Sequence, residues 1–178
     1  TAMYSERWDG YFATISPLPN PVVTWLGVAA LLLLSWVVLR NVLLAARARI
    51  AAPLRSRNVE ISSFVVTGYL SGWLPWVLTF SRPAVFQFYA VVMTPFAALG
   101  LALVLASFAS LPRTGGVIRD AGIQLSTSPE AVQGRRISVA LVLGAALLMA
   151  VLFWPLWIGM PVAGWFSQLH LWLPGWAA

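Results

Sequence analysis

The chain has 178 residues, of which 60% are hydrophobic and only 9% charged, where a soluble domain carries about 25% charged residues; water is excluded as its main solvent. The formal charge of +6 comes from 11 basic residues, all arginine, against 5 acids, and in so apolar a chain basic residues report membrane orientation, not a nucleic-acid partner. There is no cysteine and His170 is the one histidine, which excludes disulfides and thiolate metal sites and argues against any metal in this chain.

Residues 1–21 precede the first apolar run and read as an extracytoplasmic segment. Its stretch "SERWDGYF" holds Glu6 and Asp9, two carboxylates expected to be solvated. The opening has no basic n-region and no cleavage pattern, so no signal peptide is expected there. Starting at Thr1, the chain reads as the trailing part of something longer. Crossing about 30 Å of hydrocarbon takes about 20 apolar residues as a helix. The first such run is 22–39, "VVTWLGVAALLLLSWVVL", closed by Arg40. The loop 40–60 follows, with Arg40, Arg47, Arg49, Arg55 and Arg57 opposed only by Glu60.

The second span covers 61–80 and the third 84–106, with a short turn between them carrying Arg82 and Pro83. Pro75 and Pro95 lie inside these spans and are expected to kink them. Gln87 and Thr94, polar groups within the third span, are expected to bond the backbone or a neighbouring helix. The loop 107–136 holds Arg113, Arg119, Arg135 and Arg136 with Asp120 and Glu130; its glycines, serines and prolines predict mobility. The fourth span is 137–158, with Pro155 near its end. The tail 159–178, "GMPVAGWFSQLHLWLPGWAA", is too short and interrupted to span again and reads as a re-entrant or interfacial segment.

Arginines near span ends resist translocation, so both basic loops are expected in the cytoplasm. The sequence therefore predicts an all-α membrane protein: a multi-pass chain of the cell (plasma) membrane. Its four transmembrane helices put both termini and the Arg82 turn on the extracytoplasmic side. Trp73, Trp76, Trp154, Trp157 and the tail tryptophans fall at the predicted outer ends, where indole rings favour the headgroup level.

Arg82 admits two readings. As an anchor it snorkels to lipid phosphate. As a binding group its planar fork holds the phosphate of a specific lipid substrate. Phe86, Phe88 and Tyr89 follow it and either wall a slot for an isoprenoid or sugar or belong to an aromatic belt. His170 has no carboxylate neighbour in sequence, which favours an interfacial role. The chain has no phosphate-binding G-x-x-x-x-G-K-[ST] loop, no H-E-x-x-H pair and no G-x-S-x-G elbow.

The stretch "GYLSGWLPWVLTFSRPAVFQFYAVVMTPFAALGLALVL" resembles the C-terminal membrane region of protein O-mannosyltransferases, the actinobacterial ones in particular. The matching positions are Gly72, Trp73, Pro75, Trp76, Arg82, Phe86, Phe88, Tyr89, Pro95 and Phe96. The start "NPVVTWLG" and the ending "FWPLWIGMPVAGWFSQLHLWLPGWAA" are similar to the same family's preceding and terminal helices. The resemblance implies an integral-membrane glycosyltransferase of the GT-C type, which moves mannose from polyprenyl-phosphate-mannose to Ser/Thr of secreted proteins. It also implies that the family's acidic catalytic pair lies in an early outer loop to which no part of this chain corresponds. The expectation is thus a C-terminal membrane portion without catalytic residues, inactive alone. Arg82, Phe86, Phe88 and Tyr89 would face the donor's phosphate and isoprenoid. The expected partners are membrane lipid, the lipid-linked donor, secreted acceptor proteins, and the rest of the enzyme or a partner membrane chain. Which cofactor the enzyme uses, and whether a metal takes part, is left open. Two alternatives stay open: a non-catalytic membrane subunit packing through small-residue faces, or a related lipid-phosphate-sugar transferase of other specificity.

Overall fold

In hydrocarbon every backbone polar group must find its partner within the chain, and helices do this segment by segment. The computed structural model describes residues 4–8, 10–15, 18–49, 54, 56–79, 91–111 and 116–170. In chain order they form strands β1 (Tyr4–Trp8) and β2 (Tyr11–Ile15), then helices α1 (Pro21–Ala48), α2 (Arg57–Leu78), α3 (Thr94–Phe108), α4 (Val117–Asp120) and α5 (Pro129–Trp157). Strand β3 (Val162–Ala163) and helix α6 (Gly164–Gln168) close the described chain. Among the described residues α1, α2 and α5 are long and apolar enough to cross a membrane. Of the apolar window of α5 only 6% is buried, and Leu141, Leu147 and Val151 are each more than half exposed. Such a surface needs lipid, or another protein, against it.

Two compact units divide the chain, one of residues 23–142 and one of residues 1–22 with 143–178. In the first, Leu31, Leu34 and Val37 recur at helical spacing along α1 and pack with Val59 and Val65 of α2 and Val117 and Ala121 around α4. Gly100 of α3 makes this possible: a Cβ there would come within 3.2 Å of Leu34 and 3.3 Å of Val65. Ser128 and Pro129 start α5, the serine hydroxyl accepting from the Ala131 N–H at 3.3 Å, as an N-cap does.

In the second unit β1 and β2 form an antiparallel hairpin in which Trp8 pairs with Tyr11. Gly10 takes φ +86 at its turn, a conformation that favours glycine. β3 joins β2 antiparallel, completing the order β1-β2-β3. Leu18, Phe153, Leu156 and Val162 are the buried core.

Several expectations need correcting. The protein is mostly helical but not all-α: the 1–21 segment and the tail build a three-stranded sheet. Of the third span, expected over 84–106, the described part holds the fifteen-residue apolar helix α3. Residues 84–90 lie outside the described residues, and Val91–Met93 form a 3₁₀ turn. Pro95 sits in the first turn of α3, because its ring would clash with the carbonyl four residues back if the helix continued through it. Pro75 and Pro155 do lie inside α2 and α5. Within the loop expected over 107–136 lies α4, and the helix α5 begins at Pro129, before the point where the apolar span is expected to start.

Candidate functional site

Arg82, Phe86, Phe88 and Tyr89 lie outside the described residues, as do Pro83 and Gln87. The structure describes instead the two helix ends that hold this connection. Gly68 and Gly72 sit one turn apart on α2. The ring of Phe96 occupies the space a Cβ on Gly68 would need, and a Cβ on Gly72 would meet Met93 Cγ at 2.9 Å. Phe64 and Phe96 meet edge to face, centroids 5.9 Å apart. Small residues at this spacing let helix backbones approach closely, so the start of α3 is pinned against the last three turns of α2.

The end of α2 is closed by its own side chains. Thr79 donates its hydroxyl to the Pro75 carbonyl and its N–H to Trp76 O at 3.4 Å, satisfying carbonyls that the ending helix leaves open. A groove of about 250 Å³ runs along α1 and α2, lined by Val28, Leu32, Val66, Tyr69 and Trp73, with Ser35 among its few polar groups. Its chemistry suits a hydrocarbon chain. Of the sequence motif, Gly72 and Phe96 meet the facing helix at the α2–α3 contact, whereas Trp73 lines the groove between α1 and α2.

The other candidates separate. Glu6 lies on β1, where its backbone pairs with Ala13; Asp9 is outside the described residues. Thr94 opens α3. His170 is buried, 5% exposed. Its Nδ1 lies 2.7 Å from Phe166 O and its Nε2 3.1 Å from Leu152 O. Phe153 meets the imidazole edge-on at 4.7 Å. Nearby, Trp157 Nε1 donates to Leu18 O at 2.8 Å and Asn20 Nδ2 to Ala146 O at 2.8 Å. Among the described residues no three His, Cys, Asp or Glu side chains are grouped to hold a metal.

Sequence reasoning missed the polar arrangements around α4. The Asp120 carboxylate accepts from Ser56 Oγ and Asn58 Nδ2, both at 3.0 Å. Its backbone carbonyl accepts from Arg40 at 2.9 Å and Asn41 at 3.2 Å. Gly122 follows at φ +88, and a Cβ on it would come within 2.9 Å of Arg40 Nε. Arg135 donates to Phe108 O at 2.8 Å, Ser126 O at 2.9 Å and Ser110 Oγ at 3.0 Å. The signal that could have located Arg135 on a helix was Ser128-Pro129-Glu130, a start pattern; the Asp120 contacts have no comparable local signal.

No family model matches the chain, and no solved structure matches it. Curated proteins do. Over 114 residues, 63% of its length, the chain is 31% identical to a polyprenol-phosphate-mannose–protein mannosyltransferase of Mycobacterium tuberculosis. Over 112 residues it is 29% identical to a protein of the same name from Mycolicibacterium smegmatis. The resemblance seen in the motifs is thus a measured similarity. The chain matches 19% of the length of each of these relatives.

Proposed function

We propose that this chain is the C-terminal membrane portion of a transferase that moves mannose from a polyprenyl-phosphate carrier to Ser/Thr hydroxyls of secreted proteins. The observation that carries this reading is the 31% identity over 114 residues to a protein named for that reaction. The packing of Gly72 and Phe96 at the α2–α3 contact supports it, since these motif residues flank in sequence the connection that carries Arg82.

In such a transfer the acceptor hydroxyl attacks the sugar's anomeric carbon, the bond to the carrier phosphate breaks, and negative charge grows on that phosphate. The reaction needs a base for the hydroxyl and a cation or donor set for the leaving oxygens. Arg82 supplies the second, by a fork that binds two phosphate oxygens and never deprotonates; Phe86, Phe88 and Tyr89 flank the carrier. The base comes from outside this chain. The apolar groove beside Trp73 receives part of the polyprenyl chain. The basic ends of α1 and α5 face the cytoplasm and the α2–α3 connection faces outward.

The test is mannose transfer by membranes containing the complete protein, with labelled polyprenyl-phosphate-mannose and a Ser/Thr-rich peptide. Arg82→Ala is expected to lower transfer at least about tenfold, the loss of one charge-assisted contact at the leaving group. Arg82→Lys should restore only part, because a point charge lacks the fork. Normal kinetics for Arg82→Ala across donor concentrations would reduce Arg82 to an anchor. A well-expressed complete protein with no transfer to any hydroxyl acceptor would leave the membrane-subunit reading instead.

A further inference from the structure

Within the unit of residues 23–142, a cavity of about 320 Å³ opens between the end of α3 and the start of α5, with Ser110, Arg119, Gln124, Thr127 and Arg135 as its polar wall. Its size falls at the lower end of ligand pockets, about 300–1,000 Å³. Ser107, Ile118, Ile123 and Leu125 complete the lining, so it is amphipathic. From these features we infer that the cavity holds the phosphate of an anionic membrane lipid.

Three observations lead there. First, Arg135 is built in place: three of its donors go to Phe108 O, Ser126 O and Ser110 Oγ. A guanidinium carries five N–H donors, so two stay unspent and their charge is fixed in direction. All three partners are neutral, so the positive charge is oriented without being cancelled.

Second, the charge is not alone. Arg119, exposed across the cavity, adds a second guanidinium to its wall, while Arg136 next to Arg135 donates to Ala109 O at 3.4 Å. Two arginines facing one cavity favour an anion between them. The neighbouring carboxylate of Asp120 is already engaged by Ser56 and Asn58.

Third, the depth is right. The apolar run of α5 begins at Ile137, immediately after Arg136, so the cavity sits at the level where hydrocarbon gives way to headgroups. Basic pockets at that level bind acidic lipid headgroups, and arginine matches the oxygen pair of a phosphate. This site is separate from the Arg82 connection, and the inference needs neither donor nor acceptor of the proposed transfer.

The test uses the complete protein in phosphatidylcholine micelles, with added phosphatidylglycerol counted by native mass spectrometry. Wild type should retain phosphatidylglycerol over phosphatidylcholine, and Arg119→Gln should weaken retention about fivefold, the effect of one arginine near anionic lipid. Arg119 is the variant of choice because Arg135 also closes the end of α3; Arg135→Gln is read only if thermal unfolding shows it folded, and then it too should lose retention. Arg47→Gln, exposed at the end of α1, serves as control and should change retention by less than about twofold, as expected for a charge outside the cavity. Equal losses for Arg47→Gln and Arg119→Gln would mean diffuse attraction and overturn the site. If inorganic phosphate displaced the lipid at the same concentrations while chloride of equal ionic strength did not, a soluble phosphate would be the occupant and the lipid assignment would fall.

Discussion

The two units meet the same physical demand, satisfying polar groups beside hydrocarbon, with different chemistry. In the unit of residues 23–142, charged side chains do it: Arg40 and Arg135 reach backbone carbonyls and Asp120 gathers Ser56 and Asn58. The other unit has its charged side chains, Glu6, Arg7 and Asp9, only in its amino-terminal part, and none from residue 143 on. There Trp157, Asn20 and His170 bridge to carbonyls. The difference teaches that membrane-boundary structure can be tied down either by arginines or by amphipathic rings. The first leaves a field that can attract anions and the second does not.

The comparison is broken most strongly at Phe153, which is 0% exposed and touches both Trp157 and His170. Phe153→Ala is expected to cost about 3–5 kcal/mol, read as a lower unfolding temperature in detergent. Hydrogen exchange should rise in 146–170 and stay unchanged in α2; a rise spread equally over both would mean that the units unfold together.

Next in size is Gly68→Val, where the new side chain meets the Phe96 ring. Overpacking of this kind costs about 1–3 kcal/mol. In the complete protein it should also lower mannose transfer, because it displaces the start of α3 and with it the connection bearing Arg82. Unfolding temperature and transfer assay together check this, and full activity with lowered stability would detach the helix contact from function.

Asp120→Ala removes the acceptor for Ser56 and Asn58 while leaving the backbone carbonyl to Arg40 and Asn41. The expected loss is about 1–3 kcal/mol, and exchange should rise at the start of α2 and around α4 only. Smallest is Trp157→Phe, which deletes one hydrogen bond to Leu18 O and keeps most of the ring packing. It should cost about 1 kcal/mol, and it should be indifferent to salt because no charge is involved.

The hydropathy of the chain told where helices α1, α2 and α5 run, and the motif around Gly72 and Trp76 pointed to the relatives. The misses have local causes. "WDGY" carries the Asp-Gly pair that marks a hairpin, a turn signal that an expectation of solvated carboxylates at Glu6 and Asp9 does not use. Pro95 was taken as a kink within a span, whereas proline in the first turn of a helix needs no hydrogen bond there and marks a beginning. Apolar residues alone place the fourth span from Ile137, whereas the helix that carries it begins where Ser128 and Pro129 form a capping pattern.

What the sequence settled by itself was the solvent and the long helices, since the length of an apolar run need only be compared with the thickness of a bilayer. What the tertiary structure decided was which distant groups meet: Asp120 with Ser56 and Asn58, Arg135 with the carbonyl at the end of α3, His170 with Leu152 O. Those pairings join residues 18 to 64 positions apart, and no local pattern encodes them. A polar group beside hydrocarbon takes whichever partner the packed helices bring within 3 Å or so, and packing is settled by the whole chain.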